Sequence, residues 1–270
     1  VHSFNISSNE VITTGFDCNA TGTCSILSYA GGTVIFNTTG FSSFSANEVS
    51  SCGAITSSTT LRNSVSSAGT CFTINSSHIT IDCEGFTVNY STAGVEGYGF
   101  DNTGGYANVT IRDCIIFESN SNSSAADYAI AFRNVRDSSI INNSIRTFTA
   151  NSHAVYMITQ VHNITIANNS ARTSGDSASG IRIDGGNNVT ASYNYINTTG
   201  LSSYAVDTRT LKHTFAFNNI NTSGGAAHGF YSAFGGGNIN YSGNRITTQL
   251  AMGFSLATNA NNNFFENNNI

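Results

Sequence analysis

The chain repeats itself, and that constrains its fold more than any other feature. The segments Asn163-Ile164-Thr165-Ile166, Asn188-Val189-Thr190-Ala191, His213-Thr214-Phe215-Ala216 and Asn238-Ile239-Asn240-Tyr241 recur at intervals of about 25 residues. His78-Ile79-Thr80-Ile81 and Asn108-Val109-Thr110-Ile111 are earlier relatives. Six residues after each later segment begins comes an Asn, giving the column Asn143, Asn169, Asn194, Asn219, Asn244 and Asn269, which starts as Cys83 and Cys114. A second column pairs a small residue with an apolar one: Gly99-Phe100, Ala129-Ile130, Ala154-Val155, Gly180-Ile181, Ala205-Val206, Gly229-Phe230 and Gly253-Phe254.

Two columns sharing one period, built from short alternating runs with no helical spacing, describe a coil of three short strands joined by turns. Coils stacked about 4.8 Å apart turn columns of sequence into ladders in space, with apolar ladders filling the bore. The expected fold is therefore an all-β, right-handed parallel β-helix of about seven or eight coils. An inward Asn suits such a ladder, because its amide can donate to one neighbouring coil while accepting from the other. Hairpin architectures are the competing all-β arrangement and favour Asn-Gly turns, yet no Asn-Gly dipeptide occurs among 26 Gly. Residues 51–270 are assigned to the solenoid, and residues 1–50, which do not join the repeat, to a β-rich cap or extension serving subunit contact.

These units resemble the pectate-lyase-like family of right-handed parallel β-helix repeats, with its short Asn-Val-Thr-Ile-x-x-Asn elements. The run Thr70-Cys71-Phe72-Thr73-Ile74, followed by His78-Ile79-Thr80-Ile81-Asp82-Cys83-Glu84-Gly85, is similar to the entry coils of microbial surface β-helix proteins, many of them archaeal. The resemblance spans about residues 52 to 270 and implies a fold rather than an activity, because that fold hosts lyases, hydrolases, epimerases, adhesins and fibres.

Charged residues make up 9% of the chain and the net charge is -5, with Lys212 the only lysine. A basic patch is missing, so nucleic acid and anionic membrane surfaces are not expected partners. No apolar run approaches the ~18 residues of a membrane span. The chain begins at Val1 rather than Met, so a leader, if there was one, is expected to have been removed or trimmed. Six Cys without a Cys-x-x-Cys pair point to disulfides in an oxidising, extracellular or cell-surface setting rather than to zinc. Cys83 and Cys114 share a column on adjacent coils, within the roughly 4.4–6.8 Å that a disulfide spans. Cys18 with Cys24 and Cys52 with Cys71 follow from proximity and elimination, and two buried free thiols are the alternative at Cys83 and Cys114.

Fourteen Asn-x-Ser/Thr sequons begin at Asn5, Asn19, Asn37, Asn75, Asn89, Asn108, Asn122, Asn142, Asn163, Asn168, Asn188, Asn197, Asn221 and Asn240. Roughly 9 are expected by chance from this composition, so the excess supports covalent N-glycans. None of the six column Asn residues lies in a sequon.

Catalysis has thin material here. Beside the second column the outward positions read Asp101, Ala131, Tyr156, Arg182, Asp207, Tyr231 and Ser255. The structural explanation is two cross-strand ion pairs, Arg182 with Asp207 and Asp184 with Arg209, each contributing at most about 1 kcal/mol. The functional explanation is a sugar-contact face of Tyr156, Arg182, Asp207 and Tyr231. Asp82, Asp113 and Asp137 lie at strand-entry turns, where Asp commonly bonds its own backbone. His78, His153, His162, His213 and His228 are scattered, and His153 and His228, at one position of the repeat, stand roughly 14 Å apart. No catalytic residue, metal or cofactor is expected.

The last coil, through Asn263-Phe264-Phe265-Glu266 to Asn269-Ile270, keeps its register with no capping segment. An open solenoid end is a template for another chain, the simplest being a second copy whose residues 1–50 cover it. The function expected first is a glycosylated extracellular structural protein that assembles head-to-tail into a filament or sheath. The second is a carbohydrate-binding adhesin, or a polysaccharide lyase or hydrolase, acting on an extracellular glycan.

Overall fold

The computed structural model describes residues 2–5, 24–30, 33–38, 48–119, 127–233, 237–256 and 262–270, with side chains from residue 48 onward. The chain divides into two units, residues 1–47 and 48–270. In the first, His2–Asn5 pairs antiparallel with Thr33–Thr38, which pairs antiparallel with Cys24–Ala30. Gly31 and Gly32 separate those last two strands in sequence.

The second unit is a parallel β-solenoid of about eight turns, whose strands form sheets of eight, nine and ten members. Every described pairing among them is parallel, and each strand pairs with its counterpart one coil on. The solenoid begins at Glu48–Val49, which pairs with Thr60–Leu61, three residues earlier than residue 51. Among the described residues no helix is long and apolar enough to cross a membrane.

Strand residues alternate inward and outward. Phe72, Phe100, Ile130, Val155, Ile181, Val206 and Phe230 form one continuous inward ladder, continued in register by Phe254. The turns explain the abundance of Asn. His78, Asn108, Asp137, Asn163, Asn188, Lys212, Asn238 and Asn262 all have φ between 53° and 61°, a left-handed conformation that Asn and Asp tolerate best.

The inward Asn ladder passes through Asn143, Asn169, Asn194, Asn218, Asn244 and Asn268. The side-chain amide of each of the first five donates to the next Oδ1 at 2.9–3.0 Å. Each also donates to a main-chain carbonyl of the preceding coil, as Asn194 does to Ile166 at 2.9 Å. Each Oδ1 in turn accepts the backbone N–H of the residue before it in the ladder. Asn219 and Asn269 are therefore not ladder members: both are exposed, and their neighbours Asn218 and Asn268 take the place. The cause is two coils one residue short, one pairing Thr190 with Thr214 and shifting Asn219, the other pairing Asn240 with Phe264 and shifting Asn269. In the first, Lys212 aligns with Asn188, and His213 occupies the core slot of Val189 and Ile239.

His213 is 2% exposed and burial depresses its pKa from 6.5 to about 4. The unfolded chain therefore takes up a proton in a range where the folded chain does not. Stability is full above pH ~6.5 and is lost as pH falls towards ~4, by up to about 3 kcal/mol from this group. In urea titrations at pH 7 and pH 4.5, the loss between the two should be smaller for His213→Val than for the wild type; equal losses would remove His213 as a cause.

A second buried polar ladder was not read from the sequence. Thr147, Thr173, Thr198, Thr222 and Thr248 stand in register. Thr147, Thr173 and Thr198 each donate across the following turn, to the carbonyls of Ser152, Ala178 and Ser203 at 2.6–2.8 Å. Disulfides join Cys52 to Cys71 and Cys83 to Cys114, with Cα separations of 4.6 and 4.7 Å. Each bridge sits in a ladder position of adjacent coils, the first in the small-residue column and the second at the head of the Asn ladder. Cys18 lies outside the described residues, as does the side chain of Cys24.

Candidate functional site

The outward face of the nine-stranded sheet gathers most of the side chains with chemistry to offer. Strands Tyr128–Phe132, Val155–Met157, Ile181–Ile183, Val206–Thr208 and Phe230–Ser232 put Ala131, Tyr156, Arg182, Asp207 and Tyr231 side by side in register. Two residues further on, Asp184 and Arg209 occupy equivalent places on adjacent coils.

The charges at the centre form a closed network. Arg182 Nε lies 3.0 Å from Asp184 Oδ1 and its Nη1 3.7 Å from Asp207 Oδ2. Arg209 reaches the same two carboxylates at 3.3 and 3.8 Å. Tyr156 donates its hydroxyl to Asp184 Oδ2 at 2.7 Å, and the Arg182 guanidinium lies 5.6 Å from the Tyr156 ring centroid. Asp207 is the buried member, its side chain 2% exposed. Burial pushes its carboxyl up to about 6, and the pull of Arg182 and Arg209 in the other direction only partly offsets this. Asp207 Oδ1 has no hydrogen-bond partner among the described residues.

Rings flank the network on both sides. Tyr98 stacks on Tyr128 and Tyr128 on His153, each pair with centroids 5.5 Å apart. Tyr156 meets Tyr128 edge-on at 4.6 Å. Beyond the charges, Tyr204 stacks on Tyr231 at 4.3 Å and on His228 at 5.5 Å. Burial, reinforced by Arg182 and Arg209, pushes the His153 pKa well down, so the ring is neutral. Its Nδ1 accepts the Ser179 N–H at 2.9 Å, which leaves the proton on Nε2.

Tyr98, Tyr128 and Tyr204 escaped the sequence reading, although the signal was there. The residue before the small member of the second column reads Tyr98, Tyr128, His153, Ser179, Tyr204, His228 and Met252 along the solenoid.

The other acids and histidines are dispersed. Asp82 pairs with Arg112 and accepts the Glu84 N–H at 2.9 Å. Asp113 accepts from Asn142 and Asp137 from Asn163. His162 bonds Asn187 at 3.1 Å, and His78 bonds Asn108 at 2.8 Å. Among the described residues no three His, Cys, Asp or Glu are grouped to hold a metal. Of the sequon asparagines, Asn75, Asn89, Asn108, Asn142, Asn163, Asn168, Asn188, Asn197, Asn221 and Asn240 all lie at least partly exposed. The side chains of Asn5, Asn19, Asn37 and Asn122 lie outside the described residues.

No protein-family model and no curated protein matches the sequence. Among solved structures, the chain is similar to DFA-IIIase from Arthrobacter chlorophenolicus A6, without its lid and in complex with GF2. The identity is 9%, the TM-score 0.44, and the match covers 76% of this chain and 70% of that one.

Proposed function

We propose that the chain binds a polysaccharide along the outward face of the nine-stranded sheet, in an oxidising, extracellular setting. The observation that carries this is the order of groups on one face: stacked rings, a closed network of two arginines and two aspartates, then stacked rings again. Aromatic faces offer flat apolar area to a sugar ring, and convergent polar groups fix its hydroxyls. The two buried disulfides support the compartment.

Binding is favoured over cleavage by the state of the carboxyls. A glycosidase needs two carboxyl groups free to face the scissile bond. Here both are tied to the same two guanidiniums, and Asp207 lies beneath them.

Affinity electrophoresis through gels loaded with neutral or acidic polysaccharides tests the reading. At least one polymer should retard the protein, and Tyr156→Ala and Tyr231→Ala should each weaken retardation about tenfold, the loss of one stacked ring. Retardation unchanged in both variants would refute it, and release of reducing ends would move the assignment to an enzyme.

A further inference from the structure

The turn preceding the Asn ladder is left-handed on successive coils, and its occupants are mostly the residues that accept this conformation: Asp113, Asn142, Asn168, Gly243 and Asn267. Two coils depart. Tyr193 and Phe217 hold φ values of 57° and 55°, where a bulky side chain is an outlier. Both are also turned outward, 61% and 53% exposed, so neither burial nor propensity accounts for them. Strained positions of this kind are retained where the side chain serves something outside the fold.

The rings stack on each other, with centroids 5.2 Å apart and planes 14° from parallel. Gly243 makes room on the next coil, since a Cβ there would meet Cδ1 and Cε1 of Phe217 at 2.6 Å. One face of Tyr193 is thus covered by Phe217, and the other turns towards the preceding coil. The residue in register there is Asn168, because Ala167 pairs with Ser192 and the Asn168 N–H donates to the Ser192 carbonyl.

Asn168 opens the sequon Asn168-Asn169-Ser170 and is exposed. Five sequon asparagines occupy left-handed turns. The amide nitrogens of Asn108, Asn142, Asn163 and Asn188 are bonded to His78, Asp113, Asp137 and Asn163. The Asn168 amide is not engaged by any described residue, so substitution there disturbs no ladder.

We propose that Asn168 carries an N-linked glycan whose first sugar lies against the open face of Tyr193, with the Tyr193–Phe217 stack as its platform. The donor class is a lipid-diphosphate-linked oligosaccharide. A bond forms between Asn168 Nδ2 and the anomeric carbon of the reducing-end sugar. The bond from that carbon to the lipid diphosphate breaks, the diphosphate leaves with the bonding pair, and the amide loses one proton. The occupant is the chain's own sugar because the attachment point stands one coil from the ring that would receive it, and because the column from Asn142 to Asn267 carries no charge to recruit an ionic partner. This site is separate from the polysaccharide face and stands or falls without it.

The test uses the whole chain secreted from an N-glycosylating host, compared with Ser170→Ala, which removes the sequon while keeping Asn168. Peptide mapping by mass spectrometry should find Asn168 occupied in the wild type. Nitration of Tyr193 by tetranitromethane should be at least several-fold slower in the glycosylated wild type than in Ser170→Ala. The same pair made without glycosylation sets the direct effect of the lost hydroxyl and should show equal rates. Loss of the sequon should lower the melting temperature of the glycosylated wild type and should no longer do so in the background of Tyr193→Ser and Phe217→Ser. An unoccupied Asn168, or equal nitration with and without the sugar, would overturn the proposal even if the double variant fails to fold.

Discussion

Asn194→Asp should destabilise the solenoid by about 3–5 kcal/mol at pH 7, the range for an uncompensated buried charge in a broken network. Asn194 is 2% exposed and uses both amide protons, towards Asn218 Oδ1 at 3.0 Å and the Ile166 carbonyl at 2.9 Å. Its oxygen accepts from the Asn169 main chain and side chain. A carboxylate keeps the acceptor and replaces both donors with an oxygen facing two oxygens. The buried carboxyl has a folded pKa raised above its unfolded value, so the penalty grows as pH rises through that value and is relieved in acid, where the protonated group donates once. Urea denaturation of Asn194→Asp at pH 7 and pH 4.5 should show the smaller defect relative to wild type at pH 4.5. Asn219→Asp, one residue away from the ladder position and exposed, should change stability by less than about 0.5 kcal/mol.

Loss of the Cys83–Cys114 bridge should cost about 3–4 kcal/mol, since it closes a segment of sequence separation 31 and constrains the unfolded chain accordingly. Both sulfurs are buried, so Cys83→Ala with Cys114→Ala also leaves a small void at the head of the Asn ladder. Asn143 Oδ1 accepts the Cys114 N–H at 3.0 Å, so that column already has the ladder's main-chain geometry one coil earlier. Cys83→Asn with Cys114→Asn should therefore recover part of the loss that the Ala pair does not, as read from thermal midpoints. Equal midpoints for the two pairs would mean that the Asn ladder cannot be extended into the disulfide coils.

The fold was legible because its determinants are periodic. Parallel stacking makes every inward position a column, so the apolar ladder from Phe100 to Phe254 and the outward row from Asp101 to Ser255 could be lined up without coordinates. Counting failed where the period did. The coil between Asn188 and Lys212 is 24 residues long, with His213 in a core slot that Val189 and Ile239 hold on the neighbouring coils, and the coil from Asn240 to Phe264 is equally short, so counting placed the ladder at Asn219 and Asn269 instead of Asn218 and Asn268. Asn tracts such as Asn267-Asn268-Asn269 hide such a slip, because a wrong register still reads as Asn.

The candidate site was legible in its ionic centre and not in its flanks. Arg182, Asp184, Asp207 and Arg209 announce themselves through opposite charges one coil apart. Tyr98, Tyr128 and Tyr204 stand beside the strands' small residues, a column visible in the sequence, but that their rings stack along the same face shows only in the structure. The depth of Asp207 was also beyond the sequence: an outward strand position is ordinarily exposed, and here the side chain is 2% exposed beside Arg182 and Arg209.

Hydroxyl-radical footprinting of the protein with and without the polysaccharide that retards it is the measurement that tests the binding face most directly. The account predicts protection concentrated at Tyr128, Tyr156, Tyr204 and Tyr231, with the outward residues of the eight- and ten-stranded sheets unchanged. Protection on either of those sheets, with the tyrosines of the nine-stranded face labelled equally in both states, would contradict it.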